Sequence, residues 1–167
     1  MKKVIKFIWN TVTTLLASLA LIFALLLVGP KIVGLDMYVV LSGSMEPNYP
    51  TGSMIYVKDV DPSELEVNDV ITFQLTDNTI ATHRIVEVIE ENNQISYRTK
   101  GDANEHEDEN LVLASNVIGK AQFAIPYMGY IVNYIQQPPG LYMAIALCVA
   151  IILMMVLSDL LFEEDKN

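Results

Sequence analysis

The sequence predicts a small, mostly β domain, curved and antiparallel, flanked by two transmembrane helices. Two long apolar runs, at residues 7–29 and 141–157, lie towards the two ends of the 167-residue chain. Between them, apolar and polar residues alternate over short stretches, the period of a half-buried strand. No stretch of residues 31–139 keeps an apolar 3.6-residue period for three turns, so a helical core is not expected there.

The first run follows Lys2, Lys3 and Lys6, and among its 23 residues only Asn10, Thr11, Thr13, Thr14 and Ser18 are polar. About 20 apolar residues suffice to span a bilayer. A cleavable signal peptide shares the pattern of lysines followed by an apolar stretch. This run, however, ends in Val28-Gly29-Pro30-Lys31, without a small-x-small cleavage site, so an uncleaved anchor is expected. The second run carries no charge before Asp159 and is preceded by the chain-breaking Pro138-Pro139-Gly140. A buried core helix is the alternative, but a helix apolar on every side is unusual in so small a domain. The N-terminal lysines should stay cytoplasmic, which sends the middle of the chain outward. The expected division is a cytoplasmic N-terminus with a first span (1–30), an extracytoplasmic domain (31–139), a second span (140–162) and a cytoplasmic tail (163–167). The location implied is the plasma membrane, crossed twice.

Within the middle segment, strands are expected at 37–41, 53–57, 70–75, 80–89, 95–99 and 117–125. Turns are expected at 76–79 and 91–94. Residues 123–135 include Tyr127, Tyr130 and Tyr134. This stretch suits a membrane interface, where the rings bury and the hydroxyls stay wet, as well as it suits core packing. Residues 31–139 hold 16 acidic and six basic side chains, so this segment accounts for the whole chain's formal net charge of −10. So acidic a domain repels phosphate backbones, and nucleic acid is not an expected partner. Cys148 is the single cysteine and lies in the second apolar run, so no thiol serves catalysis in the polar domain.

Ser44 sits in Ser42-Gly43-Ser44-Met45-Glu46-Pro47, where the 37–41 strand gives way to a turn imposed by Pro47, Asn48, Pro50 and Gly52. Serines are common in turns for backbone reasons. As a nucleophile, Ser44 needs a base beside it. His83 lies in the 80–89 strand, on one face with Ala81 and Ile85, while Arg84 takes the other face. A lone strand histidine is usually structural, yet a neutral imidazole is suited to take a serine proton at ambient pH. Lys58, Lys100 and Lys120 remain as alternative bases, each requiring strong desolvation. Asp102 and Asp108 are the carboxylates available to orient an imidazole. His106, among acidic neighbours, reads as a solvated loop residue. Asp102, Asn104, His106 and Asp108 also have the alternating spacing of a calcium loop. Glu107 stands where that loop needs glycine and Leu113 where it needs glutamate, and the flanking helices are missing. No metal and no cofactor is expected.

The ordered motifs Ser42-Gly43-Ser44-Met45-x-Pro47, His83-Arg84 and Gly101-Asp102-Ala103-Asn104 with Asp108 resemble the type I signal peptidase family. They are more closely similar to its ER-type branch, found also in archaea and some bacteria. The resemblance covers roughly residues 37–120 and the leading anchor. Most bacterial members carry a lysine where His83 stands. This departure points to the ER-type branch and away from a Ser–Lys dyad. The resemblance implies a membrane-anchored serine endopeptidase that removes signal peptides from exported preproteins. Ser44 is then the nucleophile and His83 the general base. Asp108 or Asp102 orients the imidazole, with Asp108 favoured, and the Ser44 N–H and the Ser42 hydroxyl form the oxyanion hole. The partners implied are signal-peptide-bearing preproteins, the lipid bilayer and the protein-export machinery. A non-catalytic, membrane-tethered β domain that binds a partner or an ion is the alternative, and it leaves the three motifs as coincidence.

Overall fold

A computed structural model of the chain describes residues 2–76, 79–92 and 94–162. The expected turns at 76–79 and 91–94 involve positions outside the described residues, as does the 163–167 tail. The chain divides into two compact units, one of residues 1–29 with 132–167 and the other of residues 30–131.

The first unit is helical. Helices α1 (Lys2–Ile32) and α3 (Gly140–Phe162) each contain a stretch long and apolar enough to cross a membrane. The polar residues of α1 turn inward on the helix itself. Thr11 Oγ1 donates to the Phe7 carbonyl at 2.8 Å and Thr13 Oγ1 to the Trp9 carbonyl at 2.9 Å, so both hydroxyls are satisfied without water. Between the two helices, Trp9 Nε1 donates to the Met154 carbonyl at 3.0 Å, and Ser158 Oγ to Asn10 Oδ1 at 2.5 Å. Such bonds join apolar helices where an unpaired polar group would otherwise face hydrocarbon. Helix α1 runs through Gly29 and Pro30 to Ile32, two residues beyond the expected break. Past the proline the helix ends in a tight turn, with the Val33 N–H bonding the Pro30 carbonyl at 3.2 Å and the Gly34 N–H the Lys31 carbonyl at 3.3 Å.

The second unit is a seven-stranded sheet in the order β1-β2-β7-β3-β4-β5-β6. Its strands are β1 (Leu35–Val39), β2 (Met54–Lys58), β3 (Val70–Thr76), β4 (Thr79–Glu91), β5 (Gln94–Lys100), β6 (Val112–Leu113) and β7 (Val117–Ile125). Every pairing is antiparallel, as the alternation predicts. Register shifts occur at Tyr56/Val57, Thr72/Phe73, Gln74/Thr76 and Ile85/Glu87, and such bulges bend and twist a sheet. Strand β1 lies two residues earlier than expected, because Leu41 leaves the sheet and is 86% exposed. The two-residue β6 was not expected, nor was helix α2 (Met128–Gln136), which occupies the tyrosine-rich stretch.

Two apolar clusters hold the sheet. One joins Leu65, Ile71, Phe73, Ile85, Tyr97 and Val112; the other joins Met45, Ile55, Val57, Val70 and Ala121. Full burial of side chains of this size contributes about 1.5–3 kcal/mol each. Tyr97, with no exposed surface, donates its hydroxyl to the Pro62 carbonyl at 2.5 Å, as a buried phenol requires. The clusters fix two positions that matter below. Ile85 anchors the strand that carries His83, and Met45 anchors the loop that carries Ser44.

Candidate active site

The loop after β1 is set by its own backbone bonds. Val40 N–H donates to the Ser53 carbonyl at 2.9 Å and Gly52 N–H to the Val40 carbonyl at 2.8 Å, closing the loop at its base. Inside it, Glu46 N–H bonds the Gly43 carbonyl at 3.1 Å and Tyr49 N–H the Met45 carbonyl at 2.9 Å. Gly52 has φ +83°, a left-handed conformation favoured by glycine, and the ring of Tyr130 lies where a Cβ would stand. Met45 is only 2% exposed and pins the loop to the core, so its neighbour Ser44 is held in place without being buried. A second staple comes from the 101–108 loop, where the Ala103 N–H donates to the Ser44 carbonyl at 2.8 Å.

Strand β4 brings His83 to this loop. His83 Nε2 lies 3.2 Å from Ser44 Oγ, and Nδ1 lies 2.6 Å from Asp108 Oδ2. The His83 ring packs edge-on to Phe73, with centroids 6.2 Å apart, which limits its rotation. Asp108 is held by two further bonds: its N–H donates to the Thr99 carbonyl at 2.8 Å, and Oδ2 accepts from Thr99 Oγ1 at 2.6 Å. A hydroxyl, an imidazole and a carboxylate thus stand in one hydrogen-bonded series. In that series the carboxylate fixes the ring's orientation and the free ring nitrogen faces the hydroxyl. Ser42 Oγ lies 3.3 Å from Ser44 Oγ, within reach of the same reacting centre. Ser44 and His83 line a cavity of about 630 Å³ whose walls include Val40, Leu41, Leu75 and Ile80.

Asp102, the other carboxylate expected as a partner for His83, is engaged elsewhere. Arg84 Nε donates to its Oδ1 at 2.8 Å and Arg84 Nη2 to its Oδ2 at 2.7 Å, a bidentate pair, and Asn48 Nδ2 adds a bond to Oδ2 at 2.7 Å. Alternation along β4 explains this, since Arg84 follows His83 and projects to the opposite face. Hydrogen bonds from Arg84 and then from Asn48 hold the Asp102 carboxyl below its ordinary value of 3.8, against the opposing effect of burial. Asp102 therefore ties β4 to the 44–50 loop, while Asp108 faces the imidazole. Of the alternative bases, Lys120 is paired with Asp69 at 2.5 Å. Asn48, expected only as a turn residue, and Thr99, expected only as part of the 95–99 strand, both bond the site's carboxylates. Nothing in their spacing distinguishes them from any strand threonine or turn asparagine.

A serine hydroxyl, imidazole and carboxylate in series, beside an apolar groove on an antiparallel β unit, define a serine-hydrolase type of site. No protein-family model matches the chain. Among proteins of known function, it is 37% identical over 126 residues to "Signal peptidase I W" of Bacillus subtilis (strain 168), an alignment covering 71% of this chain and 65% of that protein. It is 30% identical over 110 residues to "Signal peptidase complex catalytic subunit SEC11C" of Homo sapiens, covering 60% of this chain and 57% of the relative. It is also 30% identical over 112 residues to the SEC11 catalytic subunit of Colletotrichum graminicola, covering 62% and 65%. The chain thus spans under two thirds of the length of each relative. Its likeness to them supports the type I signal peptidase family, in the ER-type branch.

Proposed function

We propose that the chain is a membrane-anchored serine endopeptidase that removes signal peptides from exported preproteins. The observation that carries this reading is the Ser44–His83–Asp108 series, with donor–acceptor distances of 3.2 and 2.6 Å. Ser44 Oγ attacks the scissile carbonyl while His83 Nε2 takes its proton. Asp108 keeps the other ring nitrogen protonated and aimed, and stabilises the imidazolium that forms. The Ser44 N–H and the Ser42 hydroxyl receive the oxyanion. His83 then passes its proton to the leaving amine, and water repeats the sequence on the acyl-enzyme. Asp102 serves as a positioning residue through Arg84 and Asn48.

The preprotein binds extended along β1, which among the described residues has a sheet neighbour on one side only and therefore offers backbone groups to an added strand. Helices α1 and α3 are the two spans, and residues 31–139 lie outside the plasma membrane, with Lys2, Lys3 and Lys6 on the cytoplasmic side. Anchoring serves the reaction because the substrate's own apolar segment sits in the same bilayer. Confining both to one surface raises their effective concentration. The export machinery is the expected source of substrate.

The test is cleavage of a signal-peptide-bearing preprotein by the full chain in liposomes. Ser44→Ala and His83→Ala should each lower turnover by about 10⁴-fold or more. Full activity in Ser44→Ala would overturn the proposal, and would leave a non-catalytic tethered domain as the reading.

A further inference from the structure

The structure assigns Thr99 as a positioning residue of the site, a buried hydroxyl that fixes the carboxylate on which His83 turns. The inference rests on the peptidase reading above and adds a fourth member to its series.

Thr99 stands in β5, paired across the sheet with Ile85, two residues beyond His83 in β4. Its side chain has no exposed surface. A buried hydroxyl must find a partner, and this one donates to Asp108 Oδ2 at 2.6 Å. That oxygen is the same one that meets His83 Nδ1 at 2.6 Å. The Thr99 carbonyl meanwhile accepts the Asp108 N–H at 2.8 Å. One strand residue therefore grips Asp108 twice, by main chain and by side chain.

This grip matters because Asp108 belongs to a loop, not to a strand. The 101–108 segment is irregular, and its neighbours Glu105, His106, Glu107 and Glu109 are all exposed. A carboxylate on such a loop has rotamers that turn it to water, with a 25% exposed side chain to encourage them. Thr99, rigid at χ1 because it is β-branched and sealed within the sheet, removes that freedom. Bonds to a charged acceptor are stronger than neutral ones, so the hydroxyl favours the rotamer that also faces His83. The Thr99 hydroxyl has no route to substrate; it acts through Asp108 alone.

Steady-state cleavage in liposomes tests this with Thr99→Val, which keeps the shape and removes the hydroxyl. The expected result is a fall in kcat of about tenfold with KM unchanged, the scale of a lost bond to a charged group. Thr99→Ser should restore near-normal kcat and Thr99→Ala should not. That pair reads the hydroxyl alone if the valine variant does not fold. In an Asp108→Asn background, Thr99→Val should cost little more, because the two act as one unit. Wild-type kcat in Thr99→Val, equal rates for the serine and alanine variants, or a full additive loss in the Asp108→Asn background would each overturn the assignment. Ser44→Ala run alongside separates the two levels. If it is inactive while Thr99 proves indifferent, only this inference fails; if it is active, the peptidase reading fails first.

Discussion

The two carboxylates of the 101–108 loop should fail in different ways when their charge is removed. In Asp102→Asn, Arg84 loses its bidentate partner while keeping one bond, to the Asn68 carbonyl at 2.8 Å. Breaking a fully buried pair costs about 3–5 kcal/mol, whereas an exposed pair is worth about 0–1 kcal/mol. The Arg84 and Asp102 side chains are 29% and 11% exposed, which places the cost between these limits, at about 2 kcal/mol. Activity should fall only about tenfold. Asp102 touches neither Ser44 nor the reacting atoms, and its loss merely loosens the loop that holds them. Asp108→Asn should do the reverse, cutting kcat by about 10⁴-fold through the wrong imidazole tautomer while costing less stability. Denaturant unfolding and preprotein cleavage on both variants decide the matter. An Asp102→Asn protein with wild-type stability and kcat reduced as far as in Asp108→Asn would refute this assignment of roles.

The same pair sets an acid limit on stability. The Asp102 carboxyl is held below its unfolded value of 3.8, so its contribution is fully present above that value and is lost as pH falls from there through the folded value. The stability gap between wild type and Asp102→Asn, followed by acid unfolding, should therefore close below about pH 4. Ser42→Ala, which removes one proposed oxyanion donor, should lower kcat by about 10²-fold without abolishing turnover. In the core, Phe73→Ala should cost about 3–5 kcal/mol in denaturant unfolding, since Phe73 is 2% exposed and also packs edge-on to His83.

Much of this arrangement is legible before any coordinates are known, for identifiable reasons. The strands expected at 70–75, 80–89 and 117–125 all form, although Val70 to Phe73 are buried in succession, on both faces of the sheet, rather than alternately. Ser44, His83 and the two candidate carboxylates Asp102 and Asp108 stand out because each residue type supplies what the others lack. What the sequence hides is of three kinds. Strand β6 is two residues long, too short for any period to register. Helix α2 has nine residues, short of the three turns a helical pattern needs, and follows Pro126 and a left-handed Tyr127 at φ 62°, features that read as a loop. Partners fixed only by tertiary register, such as Thr99 under Asp108 and Asn48 on Asp102, carry no local signal at all. The choice between Asp102 and Asp108 falls in this class, since it depends on which face of β4 each carboxylate meets.

The central claim is that Ser44 and His83 act as one unit on a peptide bond, and comparison of single and double variants tests it most directly. With reconstituted protein and a signal-peptide-bearing preprotein, Ser44→Ala, His83→Ala and the double variant should all fall to the same residual rate, about 10⁴-fold or more below wild type. Independent, additive losses in the double variant, or a Ser44→Ala protein that cleaves at the wild-type rate, would contradict it.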